Sequence, residues 1–215
     1  LLVGFLSTND YGLITFAFSF GEIGRHFMDG GLDNLISRDG ARDYSKIPNY
    51  GFHGLVIKAF LGLLFSIGSW FYLTLYRDLS LNETLVVYAA LSGSVLLSLT
   101  GVLRSCFTAV ERMEYVFYTN LPVRLISLFA LFLSLWLALP VVYAAGAVSL
   151  ENFLWFGLLG VYGLRSFLFK GVRFSLSFIK YMLLESWPLA LYGFFNILYM
   201  NLDVVMIESI MGGRE

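Results

Sequence analysis

Long apolar runs broken by short polar clusters make up nearly all of this chain. A helix crossing a bilayer needs about 20 predominantly apolar residues. Runs of that length predict spans near 11–36, 47–76, 83–108, 117–144, 150–169 and 184–210, with residues 1–6 as the end of a truncated earlier helix. Pro48, Pro122 and Pro188 fall near the starts of spans, where a missing backbone N–H leaves nothing unpaired, and Pro140 falls near an end. Asn82, Glu83 and Thr84 supply cap chemistry for the third span. The pattern predicts an all-α polytopic membrane protein with six transmembrane helices plus the stub.

Composition agrees with the pattern. Residues are 58% hydrophobic, 18% aromatic and only 13% charged, and the mean hydropathy of +0.76 is far above that of a soluble domain. A net charge of −1 argues against an electrostatic grip on nucleic acid, so no nucleic-acid partner is expected. The single cysteine, Cys106, permits no internal disulfide and reads as packing. The chain starts inside an apolar run without a methionine, which reads as a fragment.

Basic residues set the orientation. Arg38, Arg42, Lys46, Arg104, Arg112, Arg165, Lys170, Arg173 and Lys180 fall in one set of loops, and only Arg77 and Arg214 in the other. By the positive-inside rule the richer set is cytoplasmic, so residues 11–36 run inward in a multi-pass protein of the cytoplasmic membrane. Residues 170–181, KGVRFSLSFIKY, are too short and charged to span. They read as an interfacial helix or linker, or as an ordinary basic loop.

The segment FGEIGRHFMDGGLD, residues 20–33, brings charge into a predicted span. At about 100° per residue, and with Glu22 taken as zero, Arg25, Asp29, Asp33 and His26 all fall in one stripe about 100° wide. Such a stripe has to face the bundle interior or water, and intramembrane charges usually mark a substrate or ion path. With one arginine against three carboxylates the stripe is net negative by about two charges when His26 is neutral, so something outside it has to help. Asp33, at the inner end, fits the cytoplasmic interface, while Glu22, Arg25 and Asp29 lie deeper. His26 either titrates near neutral pH or simply hydrogen-bonds.

Other charges are scattered. Lys58 lies roughly 17 Å into its span, near the midplane, where it either neutralises the acid of the stripe or binds an anion. Arg124 either lines a cavity or snorkels to the cytoplasm, and Arg104 and Arg165 fit the inner interface. Asp203 sits deep in the last span with Asn196 and Asn201 on the same helix. Gly157, Gly160 and Gly163 recur at threes and suit close helix packing. No GxxxxGK, GxSxG or HExxH is present, and His26 and His53 lie on different segments, so neither enzyme chemistry nor a metal site is expected.

Three stretches together resemble the polysaccharide-export, O-antigen flippase branch of the multidrug/oligosaccharidyl-lipid/polysaccharide exporter superfamily. Residues 9–42 are similar to its outer turn, Tyr-Gly pair and second helix with an Asp-Gly break and basic end. Residues 103–115, LRSCFTAVERMEY, are similar to its inner turn, and 184–205 to its seventh helix, with Pro188 near the start and Asp203 in a Leu-Asp pair. The resemblance implies one lobe of a two-lobed transporter of about 12 to 14 helices. Residues 1–10 would then be the end of the first helix and an outer turn, 11–169 a five-helix bundle, 170–183 a cytoplasmic linker, and 184–215 the start of the second lobe. The implied activity is transport, not catalysis: flipping a polyprenyl-pyrophosphate-linked oligosaccharide by alternating access. Arg25, Lys58 and Arg124 would contact substrate, and Glu22, Asp29, Asp203 and His26 would couple to Na+ or H+, with no other cofactor. Membrane lipid and a glycan polymerase or other export machinery would be partners. A cation-coupled small-molecule exporter and a non-transporting scaffold are the alternatives.

Overall fold

The computed structural model describes residues 8–76, 80–137, 139–166 and 171–211, with side chains described within 11–75, 80–134, 136–137, 139–166 and 171–192 and at 195. The predicted stub at 1–6, together with Arg77, Lys170 and Arg214, lies outside the described residues. Among the described residues seven helices follow one another: α1 (Thr8–Asp29), α2 (Leu32–Arg42), α3 (Ile47–Tyr76), α4 (Leu81–Ala109), α5 (Met113–Trp136), α6 (Val141–Ser166) and α7 (Leu176–Met211). A short 3-10 turn, Tyr44–Lys46, joins α2 to α3. No strand occurs among the described residues.

Among the described residues four segments are long and apolar enough to cross a membrane: Tyr44–Leu75, Leu81–Ala109, Met113–Ser134 and Val141–Ser166. The chain is therefore a multi-pass membrane protein. The first expected span falls short of that measure because α1 carries Glu22, Arg25, His26 and Asp29, and most of the last expected span, 184–210, lies outside the residues with described side chains. The outer faces of the helices carry large exposed apolar side chains such as Phe60, Trp70, Phe117, Phe129, Phe132 and Phe153. In lipid such surfaces need no further cover.

Helix α4 is the hub, packing against α1, α2, α3, α5 and α6. Small residues on it let its neighbours approach. A Cβ on Gly93 would meet Ser149 Oγ at 3.2 Å, one on Gly21 would strike Ser94, and one on Gly101 would strike the carboxylate of Asp33. Of the expected glycine row on α6, nothing lies within 4 Å of a Cβ on Gly157 and one on Gly160 meets only Leu103 Cδ1 at 3.9 Å, while Gly163 is buried. A buried cluster of Leu32, Leu35, Ile36, Ile47, Tyr50, Val102, Cys106 and Met182 ties α2, α3, α4 and α7 together at one end.

Several boundaries differ from the sequence reading, each for a local reason. The first predicted span is two helices, because Gly30 (φ 48°) and Gly31 (φ 77°) both sit in the left-handed region that glycine enters without strain. Helix α4 starts at a capping box in which Ser80 and Glu83 exchange bonds, so the cap is Ser80 and not Asn82. Pro122 and Pro188 lie inside α5 and α7, while Pro140 precedes α6 and separates it from α5. The basic stretch at 170–181 divides: residues 172–175 are non-helical and the remainder opens α7, where Ser175 Oγ accepts the Phe178 N–H at 3.3 Å.

The start of α7 is pinned to earlier helices. His53, buried on α3, accepts the Ser175 backbone N–H at 3.0 Å through Nε2, and its Nδ1 lies 2.8 Å from the Asn49 carbonyl. That pairing assigns the ring proton to Nδ1. Tyr181 donates to Asp39 on α2 at 3.3 Å. Further along, a Cβ on Gly31 would come within 2.6 Å of the Ser186 carbonyl oxygen and 2.7 Å of the Ala190 nitrogen, so the α1–α2 break and α7 meet backbone to backbone.

This contact yields a paired prediction. Gly31→Ala has to bear the left-handed strain, roughly 1–2 kcal/mol, and also push α7 away, whereas at Gly30 the nearest atom to a Cβ is Phe27 O at 3.9 Å, so Gly30→Ala bears the strain alone. Thermal unfolding in detergent should show the larger loss of Tm for Gly31→Ala; equal losses would contradict the close approach.

Candidate functional site

The break between α1 and α2 places Asp29, the last residue of one helix, near Asp33 in the first turn of the next. Between them comes Lys58 from the middle of α3. Its Nζ lies 2.9 Å from Asp29 Oδ1 and 2.8 Å from Asp33 Oδ1, and donates to the Ser98 carbonyl of α4 at 3.1 Å. The Asp33 amide also donates to Asp29 Oδ1 at 3.4 Å. The lysine side chain is 0% exposed, so an ammonium with three hydrogens meets three acceptors and no water. Four helices contribute to one charge cluster.

Of the two sequence readings of Lys58, this geometry matches neutralisation of the acid stripe. Asp33 belongs to the cluster and is not simply an interface residue. Gly101 explains its fit, since any side chain at that position of α4 would occupy the space of the carboxylate.

One turn back on α1, Arg25 Nε donates to Glu22 Oε2 at 2.6 Å, and His26 Nε2 lies 3.8 Å from the same oxygen. Both of these pairs are partly exposed. Arg124 of α5 pairs with Glu151 of α6 at 3.0 Å.

These groups line two adjoining cavities. The first, about 260 Å³, is bounded by Glu22, Arg25, Asp29, Asp33, Lys58 and Arg104, with Leu97, Ser98, Gly101 and Trp155 completing its wall. The second, about 220 Å³, includes Ser94, Arg124, Ser149, Glu151 and Asn152. Glu22, Leu97 and Trp155 line both and so stand between them. The cavities are set by α1, α4 and α6, with α2 and α3 closing the first and α5 the second.

Of the candidates from sequence, Glu22, Arg25, Asp29 and Lys58 come together at the first cavity, and Arg124 lies at the second. His26 contacts Glu22 and Arg25 but lines neither cavity. The side chain of Asp203 lies outside the described residues. Sequence reasoning missed Arg104, assigned to the inner interface, and gave no role to Ser98, Glu151 or Trp155. The spacing of Ser94, Ser98, Gly101 and Ser105 on α4, at three- and four-residue steps, marks a close-packed face, and Arg104 falls about 60° beyond its edge at 100° per residue.

Two buried donors in the wall of the first cavity, Ser98 Oγ and Trp155 Nε1, have no hydrogen-bond partner among the described residues. Arg104 makes no ion pair among the described residues.

The Lys58 cluster predicts strong non-additivity. Removing one partner of a buried ionic network typically costs about 3–5 kcal/mol because it strands the other charges, whereas removing the whole set is far milder. Lys58→Met should lower stability by that order, and adding Asp29→Asn and Asp33→Asn should restore most of it, as read by unfolding in detergent. A triple variant no more stable than Lys58→Met would refute the pairing.

A family model described as polysaccharide biosynthesis protein matches residues 1–215. No curated protein and no solved structure matches the chain.

Proposed function

The chain belongs to the polysaccharide biosynthesis protein family, and from this membership together with the paired cavities we propose that it carries a lipid-linked oligosaccharide of the polyprenyl-pyrophosphate type from the inner to the outer leaflet. In this reading the chain contributes one lobe of a two-lobed transporter that works by alternating access, coupled to Na+, H+ or the membrane potential. The observation that supports it most is the pair of polar cavities, walled by charged side chains from the six helices α1 to α6, of which α3 to α6 are apolar on their outer faces. A polar interior behind a lipid-facing shell is what moving a charged, hydroxyl-rich headgroup past hydrocarbon demands.

The residues take different parts in this proposal. Arg25 offers the headgroup its Nη1, since Nε donates to Glu22 and Nη2 lies 3.5 Å from His26 Nε2. Glu22 and Asp29 are the coupling carboxylates. Lys58 has all its donors filled and acts by holding Asp29 and Asp33, not by meeting substrate directly. Arg124 serves the second cavity.

The rival reading of an exporter of organic cations drew on an excess of acid. That excess disappears in three dimensions: the first cavity sets Glu22, Asp29 and Asp33 against Arg25, Lys58 and Arg104, and the second adds the Arg124–Glu151 pair. A scaffold without transport would be expected to pair all its intramembrane charges, and Arg104 is left over.

Glycan export in cells lacking the protein provides the test. Arg25→Gln and Glu22→Gln, at normal membrane levels, should each cut export by about tenfold or more, the loss expected for one charge-assisted contact. Full export from both variants would refute the assigned site.

A further inference from the structure

We infer that Arg104, Trp155 and Ser98 form a corner of the first cavity that holds an oxyanion of the cargo, a phosphate or a carboxylate, and thereby sets which cargo the cavity accepts. This deepens the transport reading above and rests on it.

The charge pairing of the cavity singles out this corner. Lys58 donates to Asp29, Asp33 and the Ser98 carbonyl, which uses its three hydrogens. Arg25 is already paired to Glu22. Arg104 is thus the cation of this cavity that faces it without a carboxylate partner among the described residues. A guanidinium in such a place binds planar or tetrahedral oxyanions by two parallel bonds.

Two independent features point to the same chemistry. Trp155 is 9% exposed and Ser98 3% exposed, and each leaves a buried polar atom without a partner. Buried donors in that state are rare in folded proteins and costly, so an acceptor from a ligand would relieve both. Guanidinium and indole are donors only, which excludes a cation or a purely donating group as their partner.

Size narrows the ligand. At about 260 Å³ the cavity falls just below the range of about 300–1,000 Å³ typical of drug-sized ligands. It suits a diphosphate headgroup or a single acidic sugar ring, with the rest of the glycan outside.

Calorimetric titration of the protein in lipid nanodiscs tests the corner, with inorganic pyrophosphate and glucuronate as separate probes. At least one should bind the unaltered protein; pyrophosphate alone would assign the corner to the lipid-linked phosphate, and glucuronate alone to an acidic sugar of the glycan. Arg104→Gln should weaken that binding by about tenfold or more and Arg104→Lys by less, because the ammonium keeps charge without the fork. Trp155→Phe keeps the ring, removes only the donor, and should weaken binding by about fivefold. Wild-type affinity in both Arg104→Gln and Trp155→Phe, or no binding of either probe, would overturn the inference. Export measured on the same variants separates the two proposals. Probe binding that depends on Arg104 in a protein that exports no glycan sinks the transport reading alone. Export that continues while probe binding ignores Arg104 sinks the corner alone.

Discussion

The Lys58 ammonium organises the interior of this bundle. In a low-dielectric setting a lysine of 0% exposure is tolerated only with its charge balanced and its donors filled. The three acceptors come from three other helices, so the requirement fixes where α1 must end, where α2 must begin and how far α3 slides along α4. The Gly30–Gly31 break then has a purpose: it turns the chain so that carboxylates four residues apart address one nitrogen while α2 leaves in a new direction. Gly101 is the complementary concession on α4, giving up a side chain where Asp33 has to sit.

Filling Lys58 so completely has a consequence for the rest of the cavity. A cation bound to two carboxylates contributes net negative charge to its surroundings, and the Arg25–Glu22 pair contributes nothing. Arg104 therefore offsets the cluster across the cavity instead of forming a direct ion pair with it. This leaves a site neutral in sum but polarised, with acid and filled lysine on the α1–α2 side and free donors on the α4–α6 side.

How much of this was legible in the sequence depended on whether the signal was local. The helices were, because apolar runs of membrane length are local facts, and the family resemblance was, because it rests on the order of short motifs. The break was not, since a fixed 100° step carried through Gly30 assumes the helicity that two left-handed glycines abolish. The angular argument still grouped Asp29 with Asp33 correctly, because a tight turn and one helical turn both keep residues four apart as neighbours. Lys58 was readable as one of two alternatives; choosing between them needs the register of α3 against α1. Arg104 illustrates the limit: its distance from the predicted inner end suggested the interface, while its place on the cavity wall depends on how α4 packs against α1 and α6. The glycines teach the same lesson, since Gly157 and Gly160 of the regular row on α6 meet almost nothing and the scattered Gly21, Gly93 and Gly101 carry close approaches.

The position of α7 relates this cluster to larger structure. Its first turns are tied to α3 and α2 through His53 and Asp39, and its backbone lies against Gly31 next to Pro188, a residue that leaves one carbonyl of the helix without its usual donor. The α1–α2 break is thus clasped from two sides, by Lys58 on the polar side and by α7 on the other. Because Gly31 carries no Cβ to act as a spacer, a shift of α7 bears directly on the backbone between Asp29 and Asp33. Their carboxylates share a single nitrogen, so even a small change in their separation alters the pairing of Lys58. The packing of α7 and the charge pairing of Lys58 thus rest on one short backbone segment.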